Sequence, residues 1–141
     1  MSFKADLAFG QDAEVEFHKL YPWLIREDGR KYDFSTPTGK LVELKTEKRT
    51  TAETPNVALE ISSSVGRVGC IRNSFGYGVH YLVFSYADGK HFVYDCTSVF
   101  IYLISNAYRY RSVLVSNGSY QTTVVLVPRA DLKALEVRLE D

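Results

Sequence analysis

The chain has 141 residues, with 17 Lys+Arg against 17 Asp+Glu, 45% hydrophobic and 24% charged residues. These values describe one folded domain, 1–141, large enough for a core without staples, and argue against a disordered chain. A formal net charge of 0 argues against a protein that grips long DNA by charge alone, because that affinity comes from neutralising phosphates.

Met1 to Asp12 lacks the apolar run of a signal peptide. No segment approaches the ~18 apolar residues that span a bilayer. The expectation is an intracellular, cytoplasmic protein with no membrane partner. Cys70 and Cys96 lack metal-ligand spacing and read as reduced thiols.

Residues 11–25 predict a helix, since Ala13, Phe17, Leu20, Tyr21 and Leu24 recur at three- and four-residue spacing. Asp12 and Glu14 fall in its first turns, where acids suit the helix dipole. Pro22 ends or kinks it near Tyr21. Asp28-Gly29 marks a turn. Tyr32-Asp33-Phe34 begins a strand, Thr36-Pro37-Thr38-Gly39 is turn chemistry, and Leu41 to Thr46 is a second strand. Alternation puts Glu43 and Lys45 on one face and Val42 and Leu44 on the other.

Thr46 to Pro55 is polar and turn-rich. Asn56 to Ile61 reads as a strand with Val57, Leu59 and Ile61 on one face and Ala58 and Glu60 on the other. A loop with Gly66 and Gly69 carries Arg67 and Arg72. Val79 to Tyr86 and His91 to Tyr94 predict strands joined by the Asp88-Gly89 turn. Ser98 to Ala107 predicts a helix capped by Asp95, Thr97 or Ser98, with a strand as the alternative. Val113–Val115 and Thr122–Val127 predict a hairpin turning at Ser116-Asn117-Gly118, stopped by Pro128. Ala130 to Leu139 predicts a terminal helix with a Leu132, Leu135 and Leu139 stripe. The order is α+β or mixed α/β, a central mixed sheet flanked by helices.

The chemistry concentrates on the hairpin. Glu43 and Lys45 side by side, across a turn from Asp33, place two acids and an amine where a divalent cation or a phosphate can sit. Asp33 followed by Glu43-Leu44-Lys45 resembles the PD-(D/E)XK nuclease superfamily, in which an Asp starts one strand and Glu-x-Lys follows on the next. Tyr32 stands where the motif has Pro, a position that varies. Gly10-x-x-x-Glu14 is similar to a first-helix motif of some members, including Holliday-junction resolvases. Glu16 is the runner-up, and a plain helix-start charge is the other reading of Glu14. Asn56 to Ile61, a Gly-containing loop and a Tyr-rich strand resemble small phage-encoded nucleases of the superfamily.

The resemblance implies a restriction-endonuclease-like core and a catalytic set of Glu14, Asp33, Glu43 and Lys45. Mg²⁺ or Mn²⁺ would be held by Asp33, Glu43, the Leu44 carbonyl and Glu14. Lys45 would lie beside the attacking water and the scissile phosphate. The implied substrate is DNA, duplex or branched. Endonuclease action is favoured, because nothing marks a strand-end pocket or an ATP motor. Many small members are homodimers, which the aromatic content permits here.

Lys48, Arg49, Arg67 and Arg72 read either as phosphate contacts or as solubilising loop charges. Tyr77, Tyr81, Tyr108 and Tyr110 read as base-stacking or core aromatics. Glu60 reads as a surface residue, with the site as the alternative. His18 reads as a surface residue of the first helix, and His80 and His91 as strand residues. The competing expectations are a solvated hairpin on a non-catalytic nucleic-acid- or protein-binding module with a nuclease-like fold, or a small assembly or inhibitory protein.

Overall fold

Helix α1 spans Phe3–Leu20 and starts well before the predicted Gln11. Asp12 and Glu14 are therefore helix-interior residues, and the dipole accounts for neither of them. Pro22 has no N–H to continue the ladder, and the last turn closes with the Tyr21 amide donating to the Phe17 carbonyl at 3.2 Å. His18, expected on the surface, turns its Nε2 to the Leu24 carbonyl at 2.8 Å, satisfying the backbone just beyond the helix. This computed structural model describes residues 3–27, 32–63, 78–117 and 120–141.

Strands β1 (Ile25–Arg26), β2 (Phe34–Ser35), β3 (Leu41–Glu47), β5 (Val79–Tyr86) and β6 (His91–Asp95) form a sheet of order β1-β2-β3-β5-β6. β3 and β5 are parallel, and the other pairs are antiparallel. β4 (Asn56–Ser63), β8 (Tyr120–Pro128) and β7 (Arg111–Asn117) form an antiparallel sheet in that order. Helix α2 covers Cys96–Asn106, and Asp95 caps it by accepting from the Ser98 amide at 2.9 Å. The described residues are thus α+β, with a mixed five-stranded sheet and three helices.

The two faces of the five-stranded sheet bury different clusters. Val42 and Leu44 of β3 and Val83 of β5 pack with Phe17 of α1 and Leu24. Leu82, Phe84 and Tyr86 of β5 face the other way, against Val57 and Leu59 of β4, Val125 and Val127 of β8, and Val99 of α2. The β3–β5 register shifts between Leu41 and Val42, which pair with Val79 and Tyr81. His80 is the extra residue of this bulge. Its Nδ1 accepts from the Leu41 amide at 3.2 Å.

The predicted terminal helix does not form. A four-residue α3 (Arg129–Leu132) passes into a 3-10 turn (Lys133–Leu135). The chain then extends along β6, with the Val137 amide donating to the Val93 carbonyl at 2.9 Å. Leu132 and Leu135 pack on one core cluster and Leu139 on the other. The Leu spacing therefore serves two cores and not one helix face. Among the described residues, no helix is long and apolar enough to cross a membrane. Asp28-Gly29, Arg67, Cys70, Arg72, Tyr77 and the Gly118 turn position lie outside the described residues.

Arg129 ties the two sheets together. Its guanidinium donates to the Thr54 carbonyl at 2.6 Å and the Thr51 carbonyl at 2.9 Å. It also lies 4.9 Å from the Tyr86 ring centroid and 5.3 Å from that of Phe92. One planar fork thus fixes the β3–β4 connection against β5 and β6. Lysine keeps the charge but not the fork. Arg129→Lys is expected to lose about 1–3 kcal/mol in urea unfolding, the range for hydrogen bonds to a charged donor; an unchanged midpoint would remove the clamp from this account.

Candidate active site on strand β3

Three elements deliver the site. β3 buries Val42 and Leu44, 0% and 6% exposed, so its pleat turns Glu43 and Lys45 to the opposite face. The hairpin turn forms as predicted, with Gly39 at φ +93° and its amide donating to the Thr36 carbonyl at 2.9 Å. β2 pairs Phe34 with Val42, and continuing that register sets Asp33 opposite Glu43. Asp33 Oδ2 accepts from the Leu44 amide at 2.7 Å. Lys45 Nζ lies 3.6 Å from Glu43 Oε1.

Glu14 approaches from α1. Its Oε2 accepts from Arg26 of β1 at 3.1 Å. Burial raises the Glu14 carboxyl above its ordinary value, the adjacent Asp33 carboxyl adds to the rise, and Arg26 opposes it. Glu43 is more perturbed. Burial is the main cause, Asp33 and Glu14 add repulsion, and despite Lys45 the carboxyl is pushed up to about 7. Glu14, Asp33, Glu43 and Lys45 thus form one electrostatic unit. Glu16, the runner-up, is outside it and pairs with Lys19 at 2.9 Å on the solvent side.

The donor set suits a hard divalent cation in kind. It consists of carboxylates crowded enough to repel one another, a strain that a cation would relieve. Among the described residues, no three His, Cys, Asp or Glu side chains stand close enough to hold an ion as a group. Mg²⁺ commonly takes one or two carboxylates and keeps its waters, so Asp33 and Glu43 suffice as its protein anchors. Leu44 contributes its amide to Asp33, and its carbonyl is the remaining backbone oxygen at this position.

The other predicted residues divide. Arg49 donates to both Glu47 oxygens, at 3.0 and 3.1 Å. Burial works against the Glu47 charge, but these bonds hold its carboxyl below the usual range. Lys48 lies over the Phe9 ring at 5.9 Å. Tyr81 is buried, with its hydroxyl donating to the Glu140 carbonyl at 3.0 Å. Tyr110 bonds the hydroxyl of Tyr102 and donates to Asp131. Tyr108 is 85% exposed. His91 sits edge-on to Phe17, and burial lowers its pKa.

Glu60 is not a plain surface position. It lines a cleft of about 190 Å³ that runs from Lys45, between the two sheets, to Phe84, Tyr86 and Val124. Sequence reasoning missed this cleft and also Arg26. The one available signal for the cleft was the shared parity of Leu82, Phe84 and Tyr86, which says that they face together but not that a gap opens beside them. Arg26 carried no signal, because its partner lies twelve residues away on a helix.

The Glu43 shift has a direction in pH. Below about 4.5 the carboxyl is neutral in both the folded and the unfolded chain. As pH rises to about 7 the unfolded chain ionises first, so the native state holds the extra proton and stability falls. Glu43→Gln removes this cost, on the order of 3 kcal/mol at most. With chelator present, its Tm is expected to match wild type near pH 4 and exceed it by several degrees at pH 8; equal values at both would show that Glu43 ionises normally.

The chain matches no protein-family model, no curated protein and no solved structure.

Proposed function

We propose that the chain is a Mg²⁺- or Mn²⁺-dependent nuclease of PD-(D/E)XK type, on a restriction-endonuclease-like core, that hydrolyses phosphodiester bonds of DNA as an endonuclease. The observation that carries this reading is the placement of Asp33 across β3 from Glu43, with the Lys45 ammonium 3.6 Å from the Glu43 carboxylate and Glu14 acting on both acids electrostatically. These four side chains come from a helix and a hairpin and have no shared structural need to converge. The mixed five-stranded sheet with a helix leading into it supports the core.

Asp33 and Glu43 would hold the cation, with the Leu44 carbonyl as a further oxygen and Glu14 behind them. A cation bound there supplies positive charge at phosphorus and acidity for the attacking water. Asp33 is oriented before substrate arrives, because the Leu44 amide fixes one of its oxygens. Glu43 must lose its proton to act as a ligand, so binding strengthens as pH rises through about 7. The Lys45 side chain, 39% exposed, reaches the solvent side of the pair. There it orients the water and stabilises charge developing on the phosphoryl oxygens.

A second reading is a non-catalytic nucleic-acid- or protein-binding module. It is favoured by the two ion pairs, Glu14–Arg26 and Glu43–Lys45, which already neutralise part of the cluster. Cleavage separates the two. Wild type is expected to nick plasmid and cut branched DNA with Mg²⁺ or Mn²⁺ and to stop in EDTA. Asp33→Asn and Lys45→Ala are expected to lose at least ~100-fold, the usual scale for one electrostatic or acid–base group. Lys45→Arg is expected to recover only part, because the guanidinium differs in shape and donor geometry. Wild-type cutting by Asp33→Asn would leave the binding module standing.

A further inference from the structure

We propose that the cleft beside Lys45 receives one unpaired nucleobase of the strand being cut, in a space that suits a single-ring pyrimidine. The inference rests on the nuclease reading, since it takes Lys45 as the point where the phosphate is held. Lys45 is shared: its ammonium is 3.6 Å from the Glu43 carboxylate, and the same residue forms one lip of the cleft. A nucleotide whose phosphate meets Lys45 has its base within reach of whatever opens next to that side chain. What opens there is a slot with Phe84 and Tyr86 on one wall and Val124 and Leu59 on the other.

Its size is decisive. A volume of about 190 Å³ is below the ~300–1,000 Å³ of sites for drug-sized ligands. It is too small for a base pair. The walls are apolar and aromatic, which is what a π-face needs and what a phosphate or sugar does not. Lys45, Thr46, Glu47, Asn56 and Glu60 bring polar side chains to its border, and two features there suit a base. Glu60 is a half-buried carboxylate, an acceptor for an exocyclic amino group such as that of cytosine.

The second is the backbone of β4. Ala58, Leu59 and Glu60 are consecutive in one strand, and all three line the cleft. Alternate residues point to opposite faces, so this requires the edge of the strand to border the cleft. Among the described residues no strand pairs with the other edge of β4, and that edge's N–H and C=O groups suit a planar ligand with donors and acceptors along its rim. Bases in a duplex have both their faces and their pairing edges occupied. The site therefore selects unpaired nucleotides, in a bulge, a flap or a single strand.

Ala58 is exposed and unbranched, and a large side chain there fills a cleft whose lining includes neither Asp33 nor Glu43. The test is Mg²⁺-dependent cleavage of a paired duplex and of the same duplex with an unpaired dC bulge, by wild type, Ala58→Val and Ala58→Trp. Wild type is expected to cut beside the bulge with a kcat/KM about fivefold or more above the paired duplex, the low end of what one stacked base contributes. Ala58→Val is expected to reduce that preference and Ala58→Trp to abolish it, with the rate on the paired duplex unchanged.

Wild-type fluorescence gives a second readout that needs no variant to fold. A pyrrolo-cytosine at the bulge, bound in Ca²⁺, is expected to be quenched. Equal cutting of both substrates, or unquenched fluorescence on binding, overturns the cleft and leaves the nuclease intact. No metal-dependent cutting of either substrate overturns both.

Discussion

The site depends on a carboxylate that finishes a strand. β2 is two residues long, too short to pair with all of β3. The Leu44 amide points toward that gap and finds Asp33 Oδ2 at 2.7 Å. A side chain thus replaces a missing backbone acceptor, which a buried N–H requires. The same bond decides where the Asp33 charge sits, directly across from Glu43. Without it the hairpin would still form from its turn and its buried Val42, but its acid would be a free rotor at the sheet margin.

This arrangement costs stability wherever Glu43 is ionised, and the surrounding charges limit that cost without removing it. Arg26 faces Glu14 and Lys45 faces Glu43, so two cations answer three acids. Burial is the main reason the Glu43 carboxyl is raised, and the uncompensated Asp33 and Glu14 charges add to it against the pull of Lys45. Crowding of like charge in a site that could be built from neutral residues is what distinguishes this cluster from the Glu47–Arg49 pair a few residues on, which is balanced and solvated.

Much of the fold was legible in the sequence, because local rules decide it. The β5–β6 turn follows from Asp88-Gly89, α2 from the Asp95 cap, and the two faces of β3 from simple alternation. The failures lie where a tertiary partner decides. The spacing of Leu132, Leu135 and Leu139 has a helical period, yet pairing along β6 captures the chain after Leu135. The first helix hid its start, since Phe3 to Gly10 carries no cap signal. At the site, Asp33, Glu43 and Lys45 could be named from spacing. The Gly10-x-x-x-Glu14 spacing alone ranks Glu14 ahead of Glu16, and its partner Arg26 could not be read, because it comes from a different element.

The bulge at His80 sets the length tolerance of the whole sheet. Its imidazole stands in for the acceptor that a regular pairing would offer Leu41, and the strand resumes strict alternation only from Tyr81. Loss of that one residue would straighten the ladder and leave each later side chain on its own side. Loss of Leu82 would instead flip every later residue of β5, turning Phe84 and Tyr86 toward α1 and Val83 toward β4. Within β5, His80 is therefore the one position whose removal leaves the pleat of the following residues in phase.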